Sequence, residues 1–367
     1  MRPDFLPDPI KILPWRMLFA VLGATGFGLM TLYSAAGGSI TPWALNQGVR
    51  FVVLAGAMLV LSHVRPDTWK MVAYPCYALT LILLIVVEAM GHVGMGAQRW
   101  IDLGFIRLQP SEFMKLAVVL SLARFFHGVP PRYISKPGVL VVPAALIGVP
   151  VGLVMLQPDL GTALMISFAG VAVIFLAGIQ LRWFVGAGAL VAAMLPVAWG
   201  MLHDYQRNRV LIFMDPESDP LGTGYHLSQS KIAIGSSGLW GKGYLQGSQS
   251  HLDYLPEKQT DFIFATMMEE WGLFGGLFVL LAYGYIIWWG FGVAQRGATV
   301  FARLAAMGLS FTLFLYVAIN LAMVMGLAPV VGIPLPLFSY GGSAMMTVMI
   351  LLGILMGFDR ETRRRSL

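Results

Sequence analysis

Ten apolar stretches, each long enough to cross a bilayer as a helix, divide this chain: Trp15–Ala35, Gln47–Val64, Val72–Met90, Pro110–His127, Gly138–Leu156, Gly161–Ile179, Trp183–Leu202, Phe262–Phe291, Leu304–Gly326 and Gly342–Phe358. None alternates with the period of two that a lipid-facing strand requires, so each predicts a helix. Arg50 intrudes near one end of the second stretch, and the eighth is long enough to extend beyond the bilayer. Most of the polar sequence between them is short. The exception is one large loop, about 203–261, between helices 7 and 8. Tyr, Trp, Leu and Ile run through it, which predicts order rather than a solvated linker. A second unusual connection, Leu327–Gly341, is rich in Pro and Gly yet apolar. That predicts a re-entrant segment buried in protein, because irregular backbone at membrane depth needs partners. The fold class expected is all-α, a polytopic membrane protein with ten transmembrane helices in a single domain, 1–367.

Composition agrees. Of 367 residues 57% are hydrophobic and 11% charged, against about 25% charged in soluble domains. The net charge of +6 does not imply nucleic acid, because position accounts for it. With both termini cytoplasmic, 15 of the 24 Lys and Arg residues fall on the inner side, with only five of the 18 acids. That is the asymmetry of an inner-membrane protein read with the positive side inside. Met1 to Pro14 is polar and proline-rich and resembles no cleavable signal; the lone Cys76 can form no intrachain disulfide.

Four polar groups converge on the outer leaflet. In GAQRWIDLGFIRLQPSEFMK, Gly96 to Lys115, Glu112 and Lys115 are three apart and share a helix face, as a cavity-lining pair or as an ion pair that merely lets the helix insert. Arg99 in the same stretch adjoins an interfacial Trp100. Asp159 in Gln157-Pro158-Asp159-Leu160 precedes a helix, where it either caps that helix or faces a ligand. Arg207 and Arg209 lie outside against the positive-inside trend, and guanidinium suits a phosphate. The fourth group, QGSQSHLDYLPEKQTDFIFATMMEEWG from Gln246 to Gly272, follows Lys242 and is the most polar part of the chain. It runs into an apolar helix at Asp261, where a carboxylate is costly without a partner or a task. Thr260 or Asp261 as a helix cap is the competing reading.

There is no phosphate-binding glycine loop, dinucleotide fingerprint or zinc pattern, and the six histidines are dispersed. No metal site is read from the sequence; a divalent cation is compatible with the chemistry, but no motif demands one. A membrane-embedded outer site with carboxylates and cations suits a lipid-linked, phosphate-bearing substrate.

The C-terminal run NLAMVMGLAPVVGIPLPLFSYGGSA, from Asn320 to Ala344, resembles the signature of the SEDS family (shape, elongation, division and sporulation proteins). GAQRWIDLG, QPSEFMK, QPDLGTA and LPEKQTDFIFA fit the same family in order, so the likeness covers essentially the whole chain. The large loop is more similar to elongation members than to division members, with Ser237 where a glycine is expected. The resemblance implies a peptidoglycan glycosyltransferase that polymerises lipid II with a class B penicillin-binding protein, among other elongation-complex proteins. It further implies Asp261 as the essential aspartate, taking the proton of an acceptor hydroxyl in an inverting transfer that releases undecaprenyl pyrophosphate. The alternatives are a lipid II flippase, which would need polar groups at several depths, and a non-catalytic scaffold, which leaves Asp261 and Glu112 unexplained.

Overall fold

The computed structural model describes residues 13–365, apart from 91, 95–96, 103–106, 202–203, 216–218, 220–221, 253 and 256. A helix lies over each of the ten predicted stretches. They are α1 (Trp15–Ala35), α2 (Trp43–Leu61), α3 (Pro66–Met90), α4 (Pro110–Gly128), α5 (Pro137–Leu156), α6 (Leu160–Leu176), α7 (Leu181–Met201), and, past the large loop, α11 (Ile263–Arg296), α12 (Val300–Val324) and α13 (Gly342–Arg365). The loop itself is ordered into α8 (Asp204–Met214), α9 (Thr223–Gly235) and the single turn α10 (Ser248–His251). Among the described residues, seven helices are long and apolar enough to cross a membrane by length and composition. α6 and α7 are shorter apolar helices, and α4 carries Glu112, Lys115 and Arg124 within its length. The protein is a nearly all-helical, multi-pass membrane protein.

The all-α expectation needs one correction. The connection from α3 to α4 is a small antiparallel sheet, β1 (His92–Gly94), β2 (Ala97–Asp102) and β3 (Arg107–Leu108), in the order β1-β2-β3. β2 packs against α4.

The core is built around α12 and α13. α12 packs on α11, α4 and α6, α13 fills the groove beside α2, and α1 runs along α11. Small residues permit the closest approaches. A Cβ on Gly28 of α1 would lie 2.8 Å from the Phe338 Cα, so the backbone of the 327–341 segment rests directly on that helix. Phe27 beside it meets Trp271, Phe278 and Phe338 edge-on, at ring separations of 5.3, 5.4 and 5.7 Å. The 327–341 segment is irregular and buried at Ile333, Leu335, Leu337 and Phe338. Its backbone is held by side chains from elsewhere: Gln47 Nε2 donates to the Ser339 carbonyl (2.6 Å), and Tyr283 donates to the Pro336 carbonyl. Those bonds supply what a helix would otherwise provide.

α7 stands apart. Trp183 Nε1 donates to the Ser135 carbonyl (3.1 Å) and Phe184 meets Phe175 at 5.5 Å, but beyond this first turn Leu190, Val191, Leu195 and Val197 are more than half exposed. An apolar cavity of about 680 Å³ opens between α6, α7, α11 and α12, with Phe168, Phe184 and Phe311 in its wall.

Candidate active site

α11 begins at the mouth of the large loop, and its geometry separates the two readings of Asp261. The N-cap position falls on Phe262, whose side chain makes no capping bond. Thr260 Oγ1 donates instead to Glu257 Oε2 (2.7 Å). The N-cap position thus falls after both of the residues expected to cap this helix, and the Thr260 hydroxyl is engaged with Glu257. Asp261 sits one residue before the cap, and Asn320 Nδ2 of α12 donates to its main-chain oxygen (3.1 Å). A Cβ added to Gly332 would stand 3.7 Å from Asp261 Oδ2. Gly332 takes φ +71°, where a side chain is disfavoured, so bare backbone forms the wall facing the carboxylate.

The strap that carries Asp261 is tied at several points. Tyr340 N–H donates to the Gln259 carbonyl (2.8 Å), and Lys258 Nζ donates to the Ser250 carbonyl (2.7 Å). Downstream, the fully buried Glu269 carboxylate accepts from Lys242 Nζ (2.7 Å), Ser248 Oγ (3.1 Å), and the amides of Gln249 (2.9 Å) and Ser250 (3.3 Å). Glu270 turns the other way, accepting from Ser34 Oγ at the end of α1. Of the two consecutive acids, indistinguishable in the sequence, Glu269 thus fastens the loop and Glu270 ties α11 to the end of α1.

Beyond Glu269 the α11 helix breaks at Gly272 (φ 61°, ψ −155°). The loop supplies the missing backbone partners. Lys242 N–H and Gly243 N–H donate to the Glu269 and Glu270 carbonyls (2.9 and 3.1 Å), while Leu273 N–H and Phe274 N–H donate to the Gly238 and Leu239 carbonyls (3.1 and 3.3 Å). Gly241 and Gly272 must both lack a Cβ for this contact: one on Gly272 would lie 2.6 Å from the Leu239 carbonyl oxygen.

Glu112 and Lys115 are an ion pair at 2.6 Å, 5% and 1% exposed. Tyr316 of α12 donates to the other Glu112 oxygen, and its ring centroid lies 4.2 Å from the Lys115 ammonium. Sequence reasoning missed Tyr316, although a polar hydroxyl inside an apolar helix was a usable signal. Asp159 is the N-cap of α6: Oδ1 accepts from Thr162 N–H (3.2 Å) and Oδ2 from Gln109 Nε2 (3.1 Å). Its neighbour Gly161 has no room for a Cβ, which would lie 2.7 Å from the Val331 carbonyl oxygen. Asp159, the Glu112–Lys115 pair and Asp261 are thereby drawn to one end of the bundle, through α12 on one side and the Val331–Ile333 backbone on the other.

Two of the remaining three candidates are committed to protein partners. Arg99 donates to the carbonyls of Gln157 (3.2 Å) and Pro158, which ties β2 to the turn before Asp159. Arg207 of α8 donates to the carbonyls of Trp199 (2.9 Å) and Gly200 (2.6 Å), at the end of α7. The side chain of Arg209 lies outside the described residues. His226 of α9 abuts Phe262, with ring centroids 6.3 Å apart. Burial holds its imidazole below the usual pKa, against the opposing pull of Glu257 and Asp219.

The model of the cell cycle protein family FtsW/RodA/SpoVE matches residues 15–364. The chain belongs to this family. It is 46% identical over 362 residues to the peptidoglycan glycosyltransferase MrdB of Escherichia coli K12, covering 98% of this chain and 96% of that one. To the protein of the same name from Helicobacter pylori J99 it is 38% identical over 320 residues, covering 85% and 82%. Among solved structures, a chain from a peptidoglycan synthase complex that coordinates polymerization and crosslinking superposes with a TM-score of 0.84, at 32% identity over 95% of this chain and 98% of that one. The rod shape determining protein RodA of Thermus thermophilus gives 0.71, at 29% identity over 98% and 99%.

Proposed function

We propose that the protein is a peptidoglycan glycosyltransferase that polymerises lipid II into glycan strands during cell elongation and so maintains rod shape. The observation that carries the chemistry is the Asp261 carboxylate, placed against the bare backbone wall at Gly332. An aspartate there can take a proton from an acceptor hydroxyl. The 4-hydroxyl of the acceptor sugar then attacks the anomeric carbon of the donor from the face opposite the leaving group. The configuration inverts, and undecaprenyl pyrophosphate departs with its electron pair.

The leaving pyrophosphate requires positive charge. Lys115 and Lys242 are both neutralised by buried carboxylates, and Arg207 is held on carbonyl oxygens. Their contribution to phosphate binding therefore requires that each exchange a protein partner for substrate, whereas Arg99 and Asp159 shape the floor beside it. We place ten spans across the cytoplasmic membrane with both termini inside and the Asp261 end facing the periplasm. The basic residues flanking the inner ends support that orientation. A class B penicillin-binding protein is the proposed partner that cross-links the product strand.

The test is polymerisation of labelled lipid II by the purified protein with its transpeptidase partner, wild type against Asp261→Ala. Glycan strands should form only with the wild type. Equal polymer from both would end this assignment.

A further inference from the structure

We propose that Asn320 is a positioning residue for glycosyl transfer: its amide locks the main chain at Asp261 to the Val331–Ile333 backbone and so fixes where the carboxylate meets the acceptor hydroxyl. The inference rests on the reading of Asp261 as general base.

Asn320 is fully buried in the last turns of α12. Its Nδ2 donates to two main-chain carbonyls, Asp261 O at 3.1 Å and Ile333 O at 2.8 Å. These carbonyls belong to two segments without regular secondary structure, the strap entering α11 and the apolar 327–341 segment. One primary amide has two N–H groups, so a single side chain can serve both. The arrangement is not without cost, because Asn320 Oδ1 is buried with no hydrogen-bond partner among the described residues. An apolar side chain would avoid that cost but would leave two carbonyls unbridged. What the bridge secures is the spacing between Asp261 and Gly332, the backbone wall 3.7 Å from the carboxylate as measured to an added Cβ. One turn earlier on the same face of α12, Tyr316 engages Glu112, so a single helix face registers both the carboxylate and the ion pair.

Misplacing a reacting group by about 1 Å can cost about 100-fold in rate. Asn320→Ala should therefore lower kcat for lipid II polymerisation by about 10–100-fold, while KM stays within about two-fold of wild type. Rates are normalised to the fraction that runs as a single species bound to its transpeptidase partner, so that loss of folded protein is not counted. Asn320→Asp keeps the shape but faces both carbonyls with an acceptor, and should fall at least as far. A normalised kcat within about two-fold of wild type for the Ala variant would overturn the proposal. So would a raised KM at unchanged kcat, which would make Asn320 a substrate-binding group. Asp261→Asn run in parallel keeps the two ideas apart. An inactive Asp261→Asn beside a normal Asn320→Ala sinks only the positioning role, whereas an active Asp261→Asn sinks the general-base reading beneath it.

Discussion

The Tyr316 hydroxyl donates to Glu112 while the ring of the same tyrosine lies 4.2 Å from the ammonium of Lys115, so one aromatic side chain touches both halves of a buried ion pair. Pair and tyrosine are all at most 5% exposed, which makes the consequences of disturbing them asymmetric. Removing one charge leaves the other uncompensated and costs about 3–5 kcal/mol, whereas replacing both is often neutral. Lys115→Met and Glu112→Gln should each lower the melting temperature in detergent more than the double variant does. Polymerisation by a well-folded double variant then decides its use: retained activity would mean the pair serves insertion and packing only.

Asp261→Asn preserves size and one acceptor oxygen but cannot accept a proton. Melting temperature and partner binding should stay near wild type, because the side chain keeps its size. Polymerisation should fall by about 10²–10⁴-fold, the usual contribution of a general base. Glu257→Gln, in the same strap but exposed and bonded to Thr260, should be much milder. A rate above about one tenth of wild type for Asp261→Asn would place the base elsewhere.

Gly272→Ala puts a methyl group into backbone at a conformation almost confined to glycine. Strain of about 1–3 kcal/mol plus overlap with the Gly238–Gly241 turn should sharply reduce the yield of folded protein. Gly284→Ala is the control. Nothing lies within 4 Å of its Cβ, and alanine is the better helix former by about 1 kcal/mol. Comparable melting temperatures for the two variants would contradict the described break in α11.

His226 carries a stability that depends on pH. Its folded pKa is lowered by burial, so the unfolded chain takes up the proton first as pH falls. The stabilisation is present above about 6.5, the ordinary histidine value, and is lost as pH drops from there through the folded value. His226→Gln should flatten the fall in melting temperature below about pH 6.5. Glu257 and Asp219 are the charges that oppose the shift; neutralising either should steepen the fall. An unchanged profile in His226→Gln would remove the imidazole from the account.

Much of this architecture is legible in the sequence because bilayer length and apolar continuity are strong signals, and a helix stands over each of the ten stretches. The sheet before α4 was not legible. Its strands have three, six and two residues, too few for alternation to register. Asp159 as a cap could be read from its place before an apolar run, and the Glu112–Lys115 contact from spacing alone. Arg99, Arg207 and Lys242 read as cations available to phosphate, but their protein partners are set by tertiary folding. The break at Gly272 left no trace, since glycine is common throughout this chain (42 residues) and only the loop packed against it makes this one different.

That break has a bearing on how the protein is made. The carbonyls of Glu269 and Glu270, and the amides of Leu273 and Phe274, find their partners in residues 238–243, on the far side of the loop. A helix entering the bilayer from the translocation machinery ordinarily closes its own backbone bonds before it meets a neighbour. α11 cannot do so at this point. The turns around Gly272 are completed only when the preceding loop has folded back onto them, so folding of the loop and completion of the helix are one event.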